Sequence, residues 1–203
     1  MAKLTQAQIL DQLLEKRHFT DADLEYLAQL QSIQNITFLP GSTFPKNSLQ
    51  HLSRLRWLQF LHFHTCTLTP NHLTDIAALP KIKSLHFMQC PITNDTIHYL
   101  HPSPRITFLS FINIPIGGEA VAHLAKFQSL TMLDLSGTAI TDEDLGWLTQ
   151  LPRLTSLLLH DTAIGDKGIL SLAPLRHLTG VYGRNSYITV SGRDALFRAQ
   201  LDN

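Results

Sequence analysis

The chain has 203 residues, 44% of them hydrophobic, which is enough to bury a sizeable core. Lys plus Arg and Asp plus Glu balance at 16 each, so the net charge is zero and the basic excess usual in nucleic-acid binders is missing. There is no polybasic run, no stretch approaching the ~20 apolar residues of a bilayer span, and no signal-like apolar run at the N-terminus, so the expectation is a cytoplasmic protein without membrane contact.

Along the chain, Thr5, Gln6, Ala7 and Gln8 read as a capping box opening a helix over about residues 5–17, with Ile9, Leu10, Leu13 and Leu14 as its apolar stripe. Thr20-Asp21-Ala22-Asp23-Leu24 follows, and its pattern returns at Thr141-Asp142-Glu143-Asp144-Leu145. Ile33, Ile36 and Phe38 open a unit that contains a Pro40-Gly41 turn and Pro45. From Leu58 to Leu178 a 24-residue period holds without a gap. Leu61, Leu85, Leu109, Leu133 and Leu157 mark one position, and Phe63, Phe87, Phe111, Leu135 and Leu159 another. The unit before Leu58 is one residue longer, since Ile33 to Leu58 is 25.

Within a unit, Leu133 and Leu135 alternate with polar residues, as in a half-buried strand. Thr141 or Asp142 then caps a helix that brings Leu145, Leu148 and Leu151 near one face. One short strand and one helix cannot bury their apolar sides alone, so the units must stack. The unit ending at Pro102, Ser103 and Pro104 should have a shortened helix. Val181 and Ile188 keep the register, but Gly183 and Arg193 stand where other units are apolar. Residues from Ser191 to Leu201 should cover that end, with Leu196 and Phe197 facing inward.

The pattern L-x-x-L-x-L-x-x-(T/C/I)-x-(I/L) resembles the leucine-rich repeat over roughly residues 20–190, in the 24-residue variety of bacterial and F-box-associated proteins. The resemblance implies an α/β fold, a right-handed solenoid or horseshoe. It would have a parallel concave sheet of about seven short strands, helices on the convex side and helical caps at both ends. Residues 1–203 would form a single domain, with an N-terminal capping helix in 1–19, repeats in 20–190 and a C-terminal cap in 191–203. The ninth position, Asn or Cys in the family, is Cys66, Cys90, Ile114, Thr138, Thr162 and Ser186 here. Ile114 departs most, because it offers no hydrogen bond.

In such a sheet the third, fifth and seventh residues of each unit point away from the core. Phe60, His62, His64, His86, Met88, Phe108, Ile112, Met132, Asp134, His160, Tyr182 and Arg184 are therefore the candidate protein-binding residues. Large apolar side chains with no core to fill mark an interaction surface, unless the ends of the curved sheet or a terminal segment shelter them. His62, His64 and His86 share this face. Parallel strands do not converge their side chains on a metal, so partner contact or plain surface is the preferred reading, and neither a metal nor a cofactor is expected. The other histidines (18, 51, 72, 98, 101, 123 and 177) lie off the ladder and are expected to be solvated. Asp134, Ser136 and His160 have the composition of a catalytic triad but no evident pocket or oxyanion hole, so no enzyme is expected. Cys66 and Cys90 hold equivalent positions and read as buried free thiols rather than a disulfide.

The resulting expectation is a protein-protein interaction module, monomeric or weakly dimeric, that binds a protein partner and no nucleic acid. A cytosolic inhibitor or immunity-type protein is one form of it. A substrate-recognition adaptor of a larger complex is the alternative, and a hydrolase using Ser136, His160 and Asp134 the remote third.

Overall fold

The computed structural model describes residues 6–30 and 32–201, with side chains from Leu10 onward. Seven strands form one parallel sheet in chain order: β1 (Asn35–Phe38), β2 (Phe60–His64), β3 (Ser84–Met88), β4 (Phe108–Ile112), β5 (Met132–Asp134), β6 (Ser156–Leu158) and β7 (Gly180–Tyr182). From β2 onward every residue pairs with the one 24 later, as in Leu61 with Leu85. Asn35 pairs with Phe60, which places the extra residue of the longer unit outside the strands.

Helices α1 (Gln6–Leu14) and α2 (Asp21–Leu27) precede the sheet, and α7 (Val190–Leu201) follows it. Between successive strands lie a 3₁₀ helix η1 (Ser48–Arg54), α3 (Pro70–Ala77), α4 (Asn94–Ile97), α5 (Gly118–Leu124), a second 3₁₀ helix η2 (Asp142–Gln150) and α6 (Asp166–Leu170). The expected helix per unit is thus replaced by a 3₁₀ helix in two units. The helix expected over 5–17 ends at Leu14, and its Thr5 cap lies outside the described residues. The unit ahead of Pro102 and Pro104 has the shortest helix of the array, α4, with four residues.

The core is continuous from Leu13 to Leu196. Its spine is a stack of phenyl rings, Phe38, Phe63, Phe87 and Phe111, with successive centroids 5.3, 5.5 and 5.3 Å apart. Phe19 closes the N-terminal end of the stack edge-on at 5.2 Å. Leu135 and Leu159 continue the column, fully buried. Truncating a ring in such a column costs about 3–5 kcal/mol in typical cores.

Two backbone features recur with the period. Within three residues of the end of each strand, Gly41, Thr65, Gln89, Asn113, Gly137, Asp161 and Asn185 all adopt positive φ, between 48° and 83°. This left-handed joint turns the chain out of the sheet while its N–H still bonds the next unit, as Gln89 does to Ile112 O at 2.9 Å.

The second feature is how the N–H at each helix start finds an acceptor, since helix starts leave donors unpaired. Thr20, Thr69, Thr93 and Thr141 donate to a side chain three residues on: Asp23, His72, Thr96 and Asp144. Gly117, Gly165 and Thr189 instead donate to the preceding unit, at Asn94 Oδ1 (2.9 Å), Asp142 Oδ1 (2.8 Å) and Asp166 Oδ1 (2.8 Å). Glycine makes room for two of these carboxylates. A Cβ on Gly168 would lie 2.4 Å from Asp142 Oδ1, and one on Gly192 2.0 Å from Asp166 Oδ1. Where the glycine comes first, at Gly118, the carboxylate that fills its place is Asp144 of the following unit.

Candidate functional site

The solvent-facing side of the sheet carries three rows of side chains, one per alternating strand position. The first row runs Phe60, Ser84, Phe108, Met132, Ser156 and Gly180. Phe60 and Met132 are 40% and 38% exposed, and Phe108 is half-buried. Ser84 lies between the two phenylalanines and is buried, because rungs only ~4.8 Å apart let large neighbours roof a small one. In the third row His64, Met88, Ile112 and His160 are half-buried, Ser136 is buried and Arg184 is exposed. The apolar patch expected on this face is therefore present, centred on β2 to β5.

Exposure at every third, fifth and seventh position does not hold. Ser84, Ser110, Asp134, Ser136 and Gly180 are all buried. Asp134 is the one named candidate that is buried: its Oδ1 accepts from Ser136 Oγ at 2.6 Å and from the Ser136 N–H at 3.0 Å. Gly180 is covered by the ring of Tyr182, which occupies the place of a Cβ there and is itself 52% exposed.

The middle row is the most polar. His62 and His86 face each other with ring centroids 5.3 Å apart, tilted by 46°, and His86 lies 6.4 Å from Phe108. Burial among these neighbours pushes both imidazoles below their usual 6.5, aided by His64 beside His62 and by His62 beside His86. Asp134 pulls His86 the other way, less strongly. Between His86 and Asp134 sits Ser110, fully buried, with no protein partner for its hydroxyl. Among the described residues, no group of three or more His, Cys, Asp or Glu is arranged to hold a metal.

Ser136 and His160 do not form a nucleophile-base pair. The Ser136 hydroxyl donates to Asp134 and accepts from the backbone N–H of His160 at 3.2 Å. The His160 ring turns away, its Nδ1 accepting from Arg184 N–H at 2.8 Å. His160, Tyr182 and Arg184 instead line a pocket of about 560 Å³ beyond β7, closed by Arg193 and Phe197 of α7. These three candidates share a site separate from the apolar centre.

Of the histidines expected to be solvated, His72 and His123 are buried. His72 replaces an acidic residue in its capping box. Nδ1 accepts from Thr69 N–H at 3.2 Å and Nε2 lies 2.8 Å from Pro45 O, which fixes the hydrogen on Nε2. His123 reaches Leu100 O at 3.0 Å, while its Nδ1 is buried without a partner.

A sequence model of the family described as Leucine Rich repeat matches residues 128–146. The chain has the fold of a leucine-rich-repeat solenoid. Its fold is similar to that of an internalin (inlF) from Listeria monocytogenes, with a TM-score of 0.62 and 20% identity over 85% of this chain. The chain spans 48% of that structure. Internalin C2 (inlC2) from the same organism aligns with a TM-score of 0.55 and 24% identity, over 94% of this chain and 88% of the other. No curated protein matches the sequence.

In this leucine-rich-repeat frame the ninth position is a row of inward donors. Ser42, Thr138, Thr162 and Ser186 donate to the carbonyl three residues back at 2.6–2.7 Å. Cys66 and Cys90 fill the same slot as free, buried thiols, with Cys66 Sγ 3.2 Å from His64 O. Ile114 is buried there without a polar group. Sequence reasoning missed Trp57, 59% exposed at the edge where the chain enters β2, and the cations around it. The 24-residue spacing of Trp57, Lys81 and Arg105 was the available signal, hidden by a net charge of zero.

Proposed function

We propose that this chain is a protein-interaction module that binds a protein partner on the exposed face of its sheet. The observation that carries the reading is the run of large apolar side chains there. Phe60, Met88, Phe108, Ile112 and Met132 span four adjacent strands with no core to fill. His62, His64 and His86 lie within the patch, and Tyr182, Arg184 and His160 offer a second contact zone at the β7 end. Asp134 supports the face by holding Ser136. The reading is non-enzymatic and needs no cofactor. The finer form proposed is a cytosolic inhibitor or immunity-type protein acting as a monomer or weak homodimer, with a substrate-recognition adaptor as the second form. Among the described residues no helix is long and apolar enough to cross a membrane.

The test is affinity capture with the wild-type chain beside a Phe60→Asp/Phe108→Asp variant, followed by direct titration of any protein that the variant loses. A protein held by the wild type and released by the variant supports the sheet face. Equal capture by both moves the site elsewhere. Inhibition of a captured enzyme favours the inhibitor reading over the adaptor.

A further inference from the structure

The edge at which the chain enters the strands is charged in a way that the overall balance conceals. Gln59, Lys83 and Thr107 stand just before β2, β3 and β4 and are stacked, since Lys83 N–H bonds Gln59 O and Thr107 N–H bonds Lys83 O, each at 2.9 Å. Two residues earlier the period stacks Trp57, Lys81 and Arg105. With Arg56 these side chains line a pocket of about 390 Å³, and no Asp or Glu takes part in its wall. Among the described residues, the side chains of Arg56, Lys81, Lys83 and Arg105 have no ion pair and no hydrogen bond. From residue 28 to 116 the chain carries six Lys or Arg and two acids, Asp75 and Asp95. Both acids lie on helices, in α3 and α4.

We propose that this pocket is a second recognition site, separate from the sheet face, that takes an acidic peptide segment of a protein partner. Four unneutralised cations on three successive rungs repel one another, and a carboxylate-rich ligand relieves that repulsion. The guanidinium groups of Arg56 and Arg105 match carboxylates in pairs. Trp57 supplies flat apolar area for the ligand's aliphatic stems. A single-stranded nucleic acid fits less well. It needs successive aromatic platforms, whereas this pocket has one.

The experiment uses a Trp147→Phe background, which leaves Trp57 as the sole tryptophan. Its emission is titrated with capped decaglutamate, with a ten-residue oligothymidylate and with inorganic phosphate, at low and raised salt. The expected result is saturable decaglutamate binding that weakens with salt and falls by about tenfold or more in Lys81→Glu/Arg105→Glu. Phe60→Ser/Phe108→Ser, which adds no charge beside Gln59 and Thr107, should leave it unchanged, so this site and the sheet-face reading fail separately. If the charge-reversed chain loses its thermal transition, Lys81→Gln/Arg105→Gln takes its place. The proposal is overturned by no decaglutamate binding at low salt, by binding that survives the substitutions, or by tighter binding of the oligothymidylate. Displacement by phosphate at equal charge concentration would reduce the pocket to a simple anion site and overturn the peptide assignment.

Discussion

Gly41 and Thr65, one rung apart, share the same left-handed backbone, with φ of 83° and 48°. Glycine adopts that region freely, whereas a β-branched residue is strained in it. Thr65→Gly should therefore be neutral or stabilising by up to ~1 kcal/mol, the relief being partly offset by the greater freedom of glycine in the unfolded chain. Gly137→Ala should instead destabilise by roughly 1–3 kcal/mol. Its φ is 66°, and a Cβ there would lie 2.1 Å from Asn113 Oδ1. Urea midpoints of the two variants decide the matter, and comparable losses in both would refute the account.

Gly146, which is exposed, and Gly168, which is buried, should respond to alanine in opposite ways. Gly146 has open space where a Cβ would stand, so Gly146→Ala in η2 should be neutral or slightly stabilising. At Gly168 the same change meets Asp142, including its Cα at 3.0 Å, and displaces the carboxylate that holds Gly165 N–H. A loss of about 1–3 kcal/mol is expected there. Thermal melts of the pair are the check, and equal melting temperatures would argue against the shared caps.

The thiols should be silent in the folded chain. Burial pushes Cys66 up to about 12, and Cys90 rises for the same reason. A thiol-reactive disulfide at mildly alkaline pH should label neither until denaturant is added, and then both. Labelling of the native chain would show that the ninth-position slot opens.

Stability should decline on acidification below neutrality. Burial holds His62, His86 and His123 below the ordinary 6.5. Below pH ~6.5 the unfolded chain takes up protons that the folded chain resists, so unfolding gains with each step downward until the folded pKa values are passed. Above that window these groups are neutral in both states and contribute no slope. Their charged neighbours are His64 and Asp134 at the sheet face, and His98, His101 and Lys126 around His123. Denaturation free energies of the wild type and His62→Gln/His86→Gln across that range should converge as pH falls. An unchanged slope would place the effect elsewhere.

Period-24 leucines were enough to read the rungs, the strand positions and the longer first unit, because each landmark repeats one chemical need. The short α4 was legible from its two prolines. The orientation of Asp134 was not, since its burial depends on Ser136 in its own rung and Ser110 in the one before. His72 and His123 look like surface residues by spacing, yet each is drawn in by a carbonyl of the previous rung, Pro45 O or Leu100 O. The left-handed column was half visible: Gly41, Asn113, Gly137, Asp161 and Asn185 tolerate positive φ, and Thr65 and Gln89 conceal the rule. The edge cations escaped because a sum of charges carries no information about where they stand.

The two ways of answering the helix-start N–H impose a grammar on how such an array can grow. A unit that begins Thr-x-x-Asp, as at Thr141, carries its own acceptor, yet its Asp144 needs a predecessor with glycine in the place of Gly118. A unit that begins with glycine, as at Gly165, depends on the carboxylate one rung earlier and must be inherited together with it. Duplication or deletion is therefore least disruptive with a break ahead of Thr93, whose acceptor Thr96 lies in its own unit, and the rungs beyond it are tied to their predecessors through Asn94, Gly118, Asp142 and Asp166.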